Sequence, residues 1–215
     1  MNMIFDMDGV IFDSERAYVN AYKKLAEKYG LGNVEQACID SIGVTRELTK
    51  KIFFEHVGYE FDYDKYREEV QQELNRTSFA LKPGVYEIFG WLSEIGARVA
   101  LASSTRREHV YPMLDGADLT KHFQAIVCGD MVGHSKPNPE IFLTAADKLG
   151  VKPEDCYIIE DSYNGIRAAH AAGAHSIMVP DIVQPDDEIN GLAEVVLPSL
   201  LGVKEYLAKK LYYLR

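Results

Sequence analysis

Cysteine is scarce and poorly placed for cross-linking: Cys38, Cys128 and Cys156 are three in number, far apart and without CxxC spacing. That argues against a disulfide framework and against a cysteine-based zinc site, and it fits free thiols buried in a reducing compartment. The histidines form no HxxxH or similar ligand spacing. Basic residues are also short, 23 against 33 acidic ones, and they form no stripe along the chain. A formal net charge of -10 repels a long polyanion, so no nucleic-acid partner is expected. A small phosphate ester is not excluded, because a metal ion and a few positioned cations set the local potential whatever the global sum. No apolar run approaches a membrane span, and the start MNMIFDMDGV is too short and too acidic for a signal peptide. No membrane association and no obligate protein partner are expected, and the cytoplasm is the expected location.

What is present is ordinary globular composition, 47% hydrophobic and 26% charged over 215 residues, enough for one main unit carrying a smaller insert. Residues 2–7 read as a buried strand ending at Asp6-Met7-Asp8-Gly9, where Asp-Gly supplies turn chemistry. From Ser14 onward the periods are helical, with Tyr18, Tyr22, Leu25 and Tyr29 as one stripe and further helices near 44–57 and 63–75. Lys82-Pro83-Gly84 breaks that pattern, and strands then alternate with helices: strands at 98–102, 125–128, 156–160, 176–179 and 194–197, helices at 85–95, 106–114, 139–149 and 164–172. The alternation predicts a doubly wound α/β fold with a parallel sheet, formed by residues 1–13 and 82–215, with an all-helical insert over 14–81. Lys209-Lys210 reads as a solvated helix tail.

In such a sheet ligands bind beyond the carboxyl ends of the strands, near the point where strand order reverses. The chemistry-bearing residues fall there if the first strand lies between the second and the fourth. Asp6 ends the first strand and can offer an oxygen to phosphorus, while Asp8, two residues on, handles a proton and turns its carbonyl toward a metal. Glu160 and Asp161 end another buried strand, where adjacent acids are expensive without a cation; magnesium takes a few hard oxygen ligands plus water and phosphate, which Asp6 and these acids supply. Ser103 and Ser104 follow Val99-Ala100-Leu101-Ala102 and place hydroxyls and free N–H groups at a helix start, a seat for phosphate oxygens. Lys136, in Ser135-Lys136-Pro137-Asn138-Pro139, carries the complementary charge and would keep Asp6 ionised. The plainer readings are a solvated acidic turn, ordinary helix caps at Ser103 and at Asp161-Ser162, and a surface lysine.

These four segments, in this order, resemble the haloacid dehalogenase superfamily of phosphatases and phosphomutases over nearly the whole chain. The first motif stands as Asp6-Met7-Asp8-Gly9-Val10, the second as Leu101-Ala102-Ser103-Ser104, the third as Lys136 in SKPNPEIF, and the fourth as Glu160-Asp161-Ser162-Tyr163-Asn164-Gly165. The helical insert looks like the small cap of the β-phosphoglucomutase-like subgroup. The resemblance implies attack by Asp6 to give an aspartyl-phosphate, with Asp8 first as acid and then as base. It implies Mg2+ held by Asp6, the Asp8 carbonyl and Asp161, with Glu160 a direct or water-mediated partner. Ser103, the Ser104 N–H and Lys136 would hold the transferring phosphoryl group of a small phosphorylated metabolite.

Gly43-Val44-Thr45-Arg46-Glu47 is similar to the mutase segment whose arginine grips a second phosphate, which would make Arg46 and, after the second motif, Arg106 substrate contacts. Against a mutase, Tyr18 stands where the mutase has a histidine, and Tyr18 itself reads as core packing. The expected activity is a magnesium-dependent phosphatase acting on a sugar or nucleotide phosphate. A phosphomutase is the alternative, and a silent binding protein is a third reading.

Overall fold

The computed structural model describes residues 1–42, 46–74 and 77–213. The chain divides into two compact units, Met1–Phe12 with Leu81–Arg215, and Asp13–Ala80. In the larger unit six strands form one sheet: β1 (Asn2–Phe5), β2 (Arg98–Ser103), β3 (Ala125–Cys128), β4 (Cys156–Glu160), β5 (His175–Met178) and β6 (Val195–Val196). Their order is β3-β2-β1-β4-β5-β6 and every pairing is parallel. β1 lies between β2 and β4, and the order reverses beside it, as the sequence led one to expect.

The strands are apolar on both faces because helices cover both. Ile4, Ala100, Ala102, Cys156 and Ile158 join the buried cluster that holds Phe142, Ala145 and Ala146 of α7 (Glu140–Leu149) and Ala168 and Ala169 of α8 (Tyr163–Ala171). Small residues on the sheet admit the phenylalanine and isoleucine of α7. On the opposite face Phe5 packs on Phe89 of α5 (Val85–Glu94), with ring centroids 5.0 Å apart. Helix α6 (Arg107–Gly116) follows β2. The chain enters and leaves this unit side by side, with Phe12 opposite Leu81 and the Lys82 N–H donating to the Ile11 carbonyl at 2.8 Å.

The smaller unit holds α1 (Ser14–Tyr29), α2 (Val34–Asp40), α3 (Arg46–Val57) and α4 (Tyr63–Leu74). Its core is aromatic: Tyr22, Phe53, Tyr63 and Tyr66 are buried, and the Tyr66 hydroxyl donates to the Tyr22 carbonyl at 2.5 Å. The buried face of α1 runs through Val19, Tyr22 and Ala26, so Tyr18 sits off its centre and is 37% exposed rather than packed in the core as expected. Helix α2 and the short α9 (Asp187–Leu192) were not expected from the sequence. The C-terminal helix α10 (Leu200–Tyr213) is packed through buried Leu200, Val203 and Leu207; of the two lysines expected in a solvated tail, Lys209 is exposed, while Lys210 pairs with Glu194 and lies over the Tyr157 ring. All three cysteines are free and buried. Among the described residues no helix is long and apolar enough to cross a membrane.

Candidate active site

The carboxyl ends of β1, β2 and β4 bring the acids and the lysine together. Asp6 continues β1, its N–H donating to the Ile159 carbonyl at 2.9 Å, and successive residues alternate faces, so it lies on the Ile4 side of the sheet. Glu160 lies on the same side because it is two residues beyond Ile158. Between them sits the Lys136 ammonium, 2.5 Å from Asp6 Oδ1 and 2.6 Å from Glu160 Oε1, with the Ala102 carbonyl at 3.3 Å and the Phe142 ring beneath it, 4.8 Å to the centroid. All three charged side chains are at least nine-tenths buried.

Burial of this kind requires every polar atom to be paired, and the sequence does so locally. The second oxygen of Glu160 accepts the N–H groups of Asp161 and Ser162, each at 2.9 Å, and the Ser162 hydroxyl at 3.0 Å. Ser162 is also the N-cap of α8, accepting the Gly165 N–H at 3.0 Å. Gly165 makes room for the carboxylate: a Cβ there would lie 1.9 Å from Glu160 Oε1. Lys136 is held by its loop as well as by its prolines. Glu140, in the first turn of α7, accepts the N–H groups of Gly133 and His134 at 2.8 and 2.9 Å, and Asn138 Oδ1 accepts the Glu140 N–H at 3.0 Å.

Asp161, one residue past Glu160, lies against the first turn rather than against Lys136. A Cβ on Gly9 would lie 2.0 Å from Asp161 Oδ2, so this carboxylate rests on the Asp8-Gly9 turn, where Gly9 has φ +73°. Only glycine admits both that φ and that approach. Asp8 is half-buried and accepts the Thr105 hydroxyl on Oδ2 at 2.7 Å, with Ser103 Oγ 3.5 Å from the same oxygen. Ser103 is buried, while Ser104 is exposed.

Electrostatics follow the packing. Burial pushes the Asp6 carboxyl up to about 8, against the pull of Lys136 and with Glu160 and Asp8 adding to the rise. Burial opposes the charge on Lys136, but Asp6 and Glu160 outweigh it and hold the ammonium protonated. Asp6 and Glu160 thus share the Lys136 ammonium, with Asp8 near enough to Asp6 to add to its rise.

Of the residues singled out from the sequence, Asp6, Lys136 and Glu160 meet directly, Asp161 joins them through the Gly9 turn, and Asp8 and Ser103 meet beside them. Arg106 is exposed and paired with Glu108 at 3.0 Å. Gly43, Val44 and Thr45 and the Arg46 side chain lie outside the described residues. Glu160 was expected at a metal, yet its hydrogen bonds go to Lys136 and to the start of α8. Thr105, Glu140 and Gly129 had no role of their own in the sequence reading; for Thr105 the signal was a third hydroxyl after Ser103-Ser104. Among the described residues no three histidine, cysteine or acidic side chains converge as a ready-made metal cage.

A family model described as haloacid dehalogenase-like hydrolase matches residues 3–179. The phosphorylated carbohydrates phosphatase of Thermotoga maritima is 33% identical over 208 residues, which cover 95% of this chain and 95% of that protein. Hexitol phosphatase B of Escherichia coli is 31% identical over 205 residues, covering 92% of this chain and 91% of that one. Among solved structures, β-phosphoglucomutase from Clostridium difficile has a TM-score of 0.76 at 26% identity, covering 100% of this chain and 99% of that chain.

Proposed function

Since the chain belongs to the haloacid dehalogenase-like hydrolases, we propose that it is a magnesium-dependent phosphatase of a phosphorylated sugar or sugar alcohol, with Asp6 as its nucleophile. Family membership makes it a phosphoryl-transfer enzyme; the roles below are our reading of its pocket. The observation that carries it is the buried Lys136 ammonium between Asp6 and Glu160, beside a second acid, Asp8, that approaches two hydroxyls.

Asp6 attacks phosphorus in line, and the ester oxygen leaves with a proton from Asp8; Asp8, now ionised, then accepts a proton from the water that cleaves the aspartyl-phosphate. Lys136 and the Ser103 hydroxyl, with the Ser104 N–H, hold the oxygens of the transferring group and balance the charge that grows there. Glu160 keeps the Lys136 ammonium charged and aimed at Asp6.

A divalent cation suits the donor set. Asp6, Asp8 and Asp161 are hard oxygen ligands, and Asp161 rests on the turn that carries the Asp8 carbonyl. Magnesium commonly takes one or two carboxylates plus substrate oxygens rather than a full protein cage. We assign its ligands as Asp6, the Asp8 carbonyl and Asp161, leaving Glu160 to Lys136. Bound there, magnesium supplies charge neutralisation that lets an ionised Asp6 approach an anionic phosphoryl group. Arg106 and Arg46 remain proposed substrate contacts, the first requiring release from Glu108. A cytoplasmic location fits such a substrate and the buried free thiols.

The test is a panel of phosphorylated sugars, sugar alcohols and nucleotides, with magnesium, scoring free phosphate and isomerised product in the same wells. Phosphate release from a sugar or hexitol phosphate is expected to dominate. Faster conversion of β-glucose 1-phosphate to glucose 6-phosphate than to free phosphate would instead support a mutase, and no turnover of any member would refute both.

A further inference from the structure

Thr105 lies between β2 and α6, where a threonine hydroxyl ordinarily caps the helix. Here it does not: the N-cap of α6 is Arg106, which makes no side-chain cap bond, and the Arg107 N–H is taken by Asp130 Oδ1 at 3.0 Å. The Thr105 hydroxyl instead donates to Asp8 Oδ2 at 2.7 Å. Its backbone is fixed on both sides. The Thr105 N–H donates to Ser103 Oγ at 3.0 Å, and its carbonyl accepts the Gly129 N–H at 3.0 Å. Gly129 allows that approach because a Cβ there would lie 2.0 Å from the Ser104 carbonyl oxygen.

We propose that Thr105 is a positioning residue for Asp8, its hydroxyl fixing the plane in which the Asp8 carboxyl meets the leaving group. The inference rests on the phosphatase reading above. The hydroxyl on Oδ2, carried by a backbone bonded on both sides, holds the carboxyl in one orientation at the end of β2. In the first step a proton passes from Asp8 to the ester oxygen as the P–O ester bond breaks, its electron pair staying on that oxygen, while Asp6 forms the new bond to phosphorus. Asp8 is left as a carboxylate, and Thr105 keeps its plane fixed for the proton it takes from water in the second step. Ser103 Oγ, 3.5 Å from Oδ2, is too far to do this alone.

The consequence is a dependence on leaving group. A sugar alkoxide needs the proton, whereas nitrophenolate departs without one. Thr105→Val and Thr105→Ser are compared with wild type on a sugar phosphate that wild type hydrolyses and on p-nitrophenyl phosphate, by kcat/KM, which reports the step in which the ester breaks. Thr105→Val is expected to lower kcat/KM for the sugar phosphate about ten- to a hundredfold, the worth of one hydrogen bond to a charged group. It should leave p-nitrophenyl phosphate within about threefold of wild type, and Thr105→Ser should restore most of the loss because it keeps the hydroxyl. Equal losses on both substrates, no loss on the sugar phosphate, or no rescue by serine would overturn the proposal. A wild type that hydrolyses neither ester would overturn the phosphatase reading and this inference with it, a result distinct from an active wild type with an insensitive variant.

Discussion

Gly165→Ala sets two physical expectations against each other. Alanine in place of an interior helix glycine normally stabilises by about 0.5–1 kcal/mol, and α8 is a regular helix at this point. The packing says otherwise. The new methyl would lie 1.9 Å from Glu160 Cδ and Oε1 and 2.2 Å from Oε2, so the carboxylate must retreat by roughly 1.5 Å to reach van der Waals distance. It has nowhere cheap to go, because Lys136 holds one oxygen at 2.6 Å and two backbone N–H groups hold the other at 2.9 Å. A retreat of that size breaks at least one charge-assisted bond, worth about 1.5–3 kcal/mol, on top of about 1–3 kcal/mol for overpacking. The net effect is a loss of about 3 kcal/mol, hence a fall in Tm of roughly 6–12 °C for a chain of this size. Phosphatase activity should fall as well, since Lys136 loses its aim. Thermal unfolding by circular dichroism reads the first effect and phosphate release the second. In a Glu160→Ala background the clash has no partner, and Gly165→Ala should then be neutral or stabilising. A Tm that rises in the wild-type background, or falls equally in both, refutes the reasoning.

The same comparison has an internal control. Gly90, exposed in α5, has nothing within 4 Å of a built Cβ, so Gly90→Ala should raise stability by about 0.5–1 kcal/mol in denaturant unfolding. The thiols give a third expectation. Burial pushes Cys38 up to about 12 and Cys128 and Cys156 up to about 11, so all three stay protonated through neutral pH. A chromogenic disulfide reagent at pH 7.5 should find no fast-reacting thiol in the native protein and three in denaturant; a fast native reaction contradicts the burial.

Much of the fold was legible because its signals are local. β3 and β4 lie where the apolar runs placed them, and parallel pairing followed from the alternation of strands and helices. The elements that escaped were those with weak or interrupted periods, such as the six-residue α9, or those overshadowed by charge, such as α10, whose Leu200, Val203 and Leu207 recur at helical spacing just before Lys209-Lys210. In the site, residue types at and just past strand ends pointed to Asp6, Asp8 and Asp161, and the proline-flanked loop before α7 pointed to Lys136. Sequence showed Glu160 only as a neighbour of Asp161 and so as a metal partner, direct or through water; its bonds to Lys136 and to the start of α8 could not be read from adjacency. Thr105 stands in the hydroxyl run after β2, but its contact with Asp8 depends on where β2 ends relative to the Asp8 turn, a long-range fact that no local pattern encodes.

The central claim is that the phosphoryl group passes to Asp6. It is tested most directly by quenching the enzyme in acid during turnover of a sugar phosphate with magnesium and mapping the modified peptide by mass spectrometry. The account predicts one phosphoryl group on the peptide that carries Asp6, absent together with phosphate release in Asp6→Asn. Turnover that survives Asp6→Asn, or a phosphoryl group on any other residue, would contradict it.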